Sequence, residues 1–316
     1  MIDWIAGVSP TGKGILLVLA FLALISFLVW ILAMSKRDSN ELVARTRSWW
    51  VMAAIFMIAV VSGNRHFSVM FFCFLSLWAT KEYLSVVDIP IWHRPVLIWS
   101  YVIIVMQYYW IAIDWYGMFL VFIPIFGFLF ISTRVMLTNE PDYFLGSSAK
   151  ILWGLLAFGL GLSHLGYLIN IPGYHGLRID GRSLLLFLVV TTEFNDVAQY
   201  FWGKLFGKHK ILPVISPKKT WEGFIGGVVT AIAVCFLFKF LTPFKAVYEI
   251  VFVSLAISIS GFFGDVVMSA VKRDMSVKDF GTAIPGHGGI LDRLDSISFT
   301  APIFFHIIRY WYWPSC

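Results

Sequence analysis

The chain has 316 residues, 59% hydrophobic and 13% charged, with 24 lysines and arginines against 18 acids and a formal net charge of +6. A mean hydropathy of +0.82, with apolar runs of about twenty residues, excludes a soluble globular fold and indicates an all-α polytopic integral membrane protein. The basic excess is no sign of nucleic acid: no such binding motif accompanies it, and membrane proteins carry basic loops for orientation and for anionic headgroups.

The first apolar run, Gly14 to Met34, is too long for a signal-peptide core, and most basic residues follow it. It reads as a retained membrane helix. About ten spans meet the same criterion, near 14–34, 49–63, 67–81, 95–113, 116–137, 150–169, 183–202, 221–241, 248–270 and 296–313. The second and third are short and meet at Ser62-Gly-Asn-Arg-His66, as a tight hairpin or a partly re-entrant pair. Loops holding Lys36, Arg37, Arg45, Arg47, Lys81, Arg94, Arg134 and Lys150 fall on one side, together with the basic segments 204–219 and 272–293. The positive-inside rule makes that side cytoplasmic and puts both termini outside. Trp30, Trp110 and the Tyr310–Trp313 group lie near span ends, as an interfacial aromatic belt does. Polar residues are sparse before residue 145 and gather into motifs after it. We therefore divide the chain into N-terminal transmembrane helices (1–145), a scaffold, and a C-terminal catalytic region (146–316).

Three stretches carry chemistry. The first is Asn195-Asp196-Val-Ala-Gln-Tyr200 with Gly203-Lys204, at the cytoplasmic end of the seventh span. An acid at that depth costs about 2–3 kcal/mol unless partnered, so Asp196 is a candidate by default; its structural alternative is a pair with Lys204 or Lys208. The second is Ser216-Pro-Lys218-Lys219-Thr220-Trp-Glu222-Gly223. Pro217 sets an extended entry, Thr220 is placed to cap the following helix, and two lysines with hydroxyls at a helix start suit a phosphate. The third runs from Asp265 to Asp295. Asp265, Ser269 and Lys272 share one helical face, and Asp292 and Asp295 share another. Three carboxylates brought together repel unless cations sit between them, and hard oxygen ligands point to Mg²⁺. His287 stands among Gly286, Gly288 and Gly289, where the backbone can pass close to a ligand. Clustered acids, lysines and glycine turns describe a metal-assisted phosphate or nucleotide site.

These residues resemble the signature of the phosphatidate cytidylyltransferase (CDP-diacylglycerol synthase) family. The signature stands here as Ser269-Ala-Val-Lys272-Arg273, Lys278-Asp279, Pro285-Gly286-His287-Gly288-Gly289 and Asp292-Arg293-Leu294-Asp295. The resemblance is close over residues 190–296. It departs upstream: where the family pattern reads Asp-Thr-x-Ala-Tyr-x-x-Gly-Arg, this chain has Asp196-Val197-Ala-Gln199-Tyr200-Phe-Trp-Gly203-Lys204, a divergent branch. The resemblance implies a membrane enzyme, a homodimer with a cytoplasm-facing site, joining CTP and phosphatidic acid into CDP-diacylglycerol and pyrophosphate. It implies Mg²⁺ and a second cation such as K⁺, held by Asp265, Asp292 and Asp295. Ser269, Lys272, Arg273, Lys278, Asp279, His287 and Arg293 join Asp265 as the catalytic set. Asp196, Ser216, Lys218, Lys219, Thr220, Glu222, Gly288 and Gly289 are the substrate-binding set. The alternatives are a related CTP-dependent lipid enzyme, making a CDP-ether lipid or phosphorylating a polyprenol, and a non-catalytic paralogue acting as a membrane scaffold or lipid carrier.

Overall fold

The computed structural model describes residues 8–35, 46, 50, 53–54, 56–62, 64–171, 179–281 and 288–313. Helices dominate it: α1 (Pro10–Ser35), α2 (Arg65–Val86), α3 (Leu97–Ala112), α4 (Tyr116–Met136), α5 (Phe144–Leu168), α6 (Gly181–Phe206), α7 (Trp221–Leu237), α8 (Val247–Asp274) and α9 (Leu291–Tyr312). Each coincides with an expected span. The expected second span, 49–63, lies largely outside the described residues.

Among the described residues, six helical stretches are long and apolar enough to cross a membrane: Pro10–Phe27, Arg65–Val86, Arg94–Ala112, Tyr116–Met136, Phe144–Leu168 and Val247–Asp274. This is a membrane protein. The remaining three helices differ for physical reasons. α7 has 17 residues, while α6 and α9, with 26 and 22, are long enough but carry the polar residues of the site.

One expectation needs correction. The third span is not a short one ending at Lys81. Asn64 caps it, accepting from the His66 and Phe67 amides at 3.0 and 3.3 Å, and the helix continues past Lys81 to Val86. It does so because Glu82 is buried and hydrogen-bonded instead of facing water. The all-α class agrees with this helical bundle, to which a small hairpin is added. Between α6 and α7, β1 (Lys210–Leu212) and β2 (Ser216–Thr220) form a two-stranded antiparallel hairpin, pairing Lys210 with Thr220 and Leu212 with Ser216. Extended Pro217 and the non-helical cap conformation of Thr220 favour a strand there.

The bundle is ordered from rim to centre. In α1, 11% of the apolar window is buried, against 72% in α5. Phe158, Leu162 and Leu165 of α5, Leu184 to Leu188 of α6, and Phe304, Phe305 and Ile308 of α9 make the centre of the core. Lipid tails are as apolar as these side chains, so close packing and interhelical hydrogen bonds hold such helices together. Thr192 donates to Thr300 at 3.3 Å, tying α6 to α9. At Gly264 of α8, an added Cβ would lie 2.8 Å from the Asp295 carbonyl of α9. Only glycine allows that approach, and it brings the Asp265 and Asp295 segments side by side.

Candidate active site

The site forms where α6 ends, β2 runs into α7, α8 ends and α9 begins. Thr220 caps α7, its hydroxyl accepting from the Gly223 amide at 3.2 Å. The strand before it delivers Lys219 inward. Its ammonium lies 2.7 Å from Asp265 Oδ2 on α8 and donates to Gln199 Oε1 on α6 at 2.9 Å, so one side chain joins three elements. Burial on its own would lower the Lys219 pKa; the Asp265 carboxylate, with Asp196 and Asp295 nearby, outweighs it and raises the pKa, keeping the ammonium charged.

Lys219 thus pairs with Asp265, with Asp196 and Asp295 within electrostatic reach. Ser269, one turn beyond Asp265, donates to its Oδ1 at 3.4 Å, as the shared helical face predicts. Beside them lies a pocket of buried polarity without partners: Asp196 Oδ1, both amide atoms of Asn195 and Gln199 Nε2 make no hydrogen bond. Such atoms are costly to leave unmet in a packed interior.

Asp292 is set apart from the other acids. Its Oδ1 receives Lys272 Nζ at 2.9 Å, and its Oδ2 receives the Phe280 and Gly289 amides at 2.9 and 3.0 Å. Its side chain is 2% exposed. The Lys272 pairing therefore runs across to α9, away from Asp265 on its own helix. Gly288 has φ +79°, a left-handed conformation, and a Cβ there would press on Asp292 Oδ2 at 2.8 Å. The glycines around Asp292 are required by geometry.

The other expected residues are more dispersed. Arg273 is exposed and donates from Nε to the Ile215 carbonyl at 3.4 Å, linking the end of α8 to the hairpin. Arg293 is exposed within electrostatic reach of Asp196. Ser216 is half-buried in β2; Lys218, Lys278 and Asp279 are exposed. Glu222 is taken up locally: it accepts from the Lys208 and His209 amides at 3.0 and 3.2 Å and from His209 Nδ1 at 2.6 Å, closing the turn before β1. His287, with Pro285 and Gly286, lies outside the described residues. Among the described residues no three acidic, histidine or cysteine side chains converge on one point as metal ligands; Lys219 stands among the acids instead.

Sequence reasoning missed Glu82. It sits in α2, in the half of the chain read as scaffold, yet its carboxylate accepts from the Ile290 and Leu291 amides at 3.1 and 2.8 Å. Its only signal was an acid directly after an apolar run, next to Lys81, which reads as an ordinary charged flank.

The model of the cytidylyltransferase family matches residues 43–311, which contain every element of this site. The chain belongs to that family. It is 43% identical over 286 residues to Uncharacterized protein YnbB of Escherichia coli strain K12, covering 90% of this chain and 92% of that one. It is 32% identical over 262 residues to the phosphatidate cytidylyltransferase of Staphylococcus haemolyticus strain JCSC1435, covering 82% of this chain and 96% of that one. With the phosphatidate cytidylyltransferase of Staphylococcus aureus strain COL it shares 41% identity over 131 residues, 41% of this chain and 50% of that one. The resemblance carried by the Ser269–Asp295 signature thus agrees with family membership across most of the chain.

Proposed function

We propose that this protein is a phosphatidate cytidylyltransferase of the cell membrane, with about ten spans and its site facing the cytoplasm, working as a homodimer. The observation that carries the reading is the gathering of Asp196, Asp265 and Asp295 around Lys219, beside unpartnered buried oxygen and amide atoms. In the reaction, a phosphate oxygen of phosphatidic acid attacks the α-phosphorus of CTP in line. The bond from that phosphorus to the bridging oxygen of the β-phosphate breaks, pyrophosphate leaves, and CDP-diacylglycerol forms.

Mg²⁺ is proposed from the kind of donor, hard carboxylate oxygens on Asp265, Asp295 and Asp196, one of which on Asp196 is buried and unpartnered; among the described residues these acids do not converge as a ready-made metal site, and Lys219 pairs with Asp265. Asp265 and Asp295, with Asp196, would hold the ion, which when bound supplies positive charge at the nucleotide phosphates. Asp292, named with them on sequence, has both oxygens engaged by Lys272 and backbone amides, and serves to hold Lys272 and the start of α9 in place. Lys219 and Lys272 neutralise phosphate charge at the centre; Lys218, Arg273 and Arg293, all exposed, meet the phosphates at the rim. Ser216 and Ser269 orient oxygens.

The test uses purified protein in lipid nanodiscs with CTP labelled at the α- and γ-phosphates, Mg²⁺ and, in separate reactions, phosphatidate, other phospholipids or a polyprenol. Labelled pyrophosphate together with labelled CDP-diacylglycerol supports the reading. Release of CDP with a phosphorylated alcohol identifies a kinase, and no turnover with any phospholipid acceptor identifies a scaffold or carrier. The departure at Gln199 makes the lipid acceptor worth varying, because that residue holds Lys219 in place.

A further inference from the structure

α9 begins without a cap of its own. The residue before its first turn is Ile290, whose side chain has no acceptor, and two glycines precede it. The first amides of any helix lack partners within the helix, and where they are buried an acceptor must come from elsewhere. Two carboxylates supply it here. Asp292 turns back to the Gly289 and Phe280 amides, which folds the preceding loop onto the helix start. The Ile290 and Leu291 amides are met by Glu82, 208 and 209 residues earlier in the chain.

Glu82 is itself held. Trp78, one turn back on α2, donates from its indole nitrogen to Glu82 Oε1 at 3.1 Å. The residue is 8% exposed, and Gly281 and Gly289 pack so closely that a Cβ on either would collide with its carboxylate. Among the described residues no lysine, arginine or histidine forms an ion pair with it. Its charge faces three N–H donors and the positive end of α9. A simple helix-to-helix contact would not need a buried charge; a carboxylate with two backbone amides in its grip fixes where a helix starts, and so where its first residues point.

We propose that Glu82 is a positioning residue for nucleotidyl transfer: from the N-terminal helices it fixes the start of α9 and thereby the placement of Asp292 and Asp295. The catalytic part rests on the reaction proposed above; the anchoring part does not. Wild type, Glu82→Gln, Glu82→Asp and Trp78→Phe are compared as full chains in nanodiscs, by hydrogen exchange, thermal unfolding and pyrophosphate release.

For Glu82→Gln, exchange in peptides covering 288–293 is expected to quicken about tenfold or more while α5 and α6 keep their protection. Turnover should fall about tenfold or more, with KM for CTP within about threefold, because an interaction that orients the reacting groups acts on kcat. Glu82→Asp keeps the charge one methylene short and should recover part of that turnover. Unchanged exchange at 288–293, faster exchange throughout the chain, or turnover close to wild type would each overturn the proposal. Should Glu82→Gln not fold, Trp78→Phe, which removes a single donor, carries the same signs at about threefold. If the wild type itself releases no pyrophosphate from CTP and phosphatidate, the proposed reaction falls. Exchange at 288–293 then decides the anchor by itself: local quickening supports it and no change overturns it.

Discussion

Two lysine–aspartate pairs stand within this site, and they differ in what surrounds them. Lys272–Asp292 is closed: 2.9 Å, side chains 14% and 2% exposed, with the remaining carboxylate oxygen filled by two amides. Lys219–Asp265 is open: 2.7 Å, side chains 16% and 27% exposed, with two further acids and unpartnered buried atoms beside it. Distance alone would rank them as equals. The difference teaches that the Asp292 carboxylate is architecture, since both its oxygens are already engaged, whereas the Lys219–Asp265 pair lies beside polar atoms that have no partner.

The sharpest way to break this contrast is to neutralise each acid in turn. Asp265→Asn should lower turnover by about 10³-fold at saturating Mg²⁺ and CTP, measured as pyrophosphate release, and leave the unfolding midpoint near that of wild type. Asp292→Asn should do more to the fold. Removing one charge of a buried pair costs about 3–5 kcal/mol, so the midpoint of thermal unfolding should drop together with turnover. Equal stability in the two variants would erase the distinction between the pairs.

Lys219→Met tests the open pair from its other side. Turnover should fall about 10²-fold, as expected for loss of one preorganised charge at the reacting phosphates. A smaller effect than at the neighbouring, exposed Lys218 would contradict the assignment of the inner lysine to the centre. Gly288→Ala is the mildest probe and addresses only the closed pair. An L side chain in the left-handed region costs about 1–2 kcal/mol, and here its Cβ also presses on Asp292. Its effect should appear in the unfolding midpoint.

Much of this was legible in the sequence. The helices α1 to α9 coincide with apolar runs because a chain in a bilayer must satisfy its backbone internally, which makes long helices readable from composition. Thr220 was legible as a cap because capping is a local event, three residues in reach. The i, i+4 relation of Asp265 and Ser269 was legible for the same reason. What failed was the sorting of acids that look alike. Asp292 and Asp295 lie one turn apart in a shared motif, yet one is saturated by Lys272 and two amides while the other is left beside Asp265. Glu82 failed most completely, because its partners are more than two hundred residues away.

By itself, then, the sequence determined that this is a helical membrane protein with a cytidylyltransferase signature near its C-terminus, since hydropathy, helical period and motif spacing are properties of neighbouring residues. Only the tertiary structure decided which lysine meets which acid, that Asp196 and not Asp292 shares the open cluster, and that an acid from α2 caps α9. Those outcomes depend on which helix ends are brought within about 3 Å of one another, the reach of a hydrogen bond, and no local pattern encodes that distance.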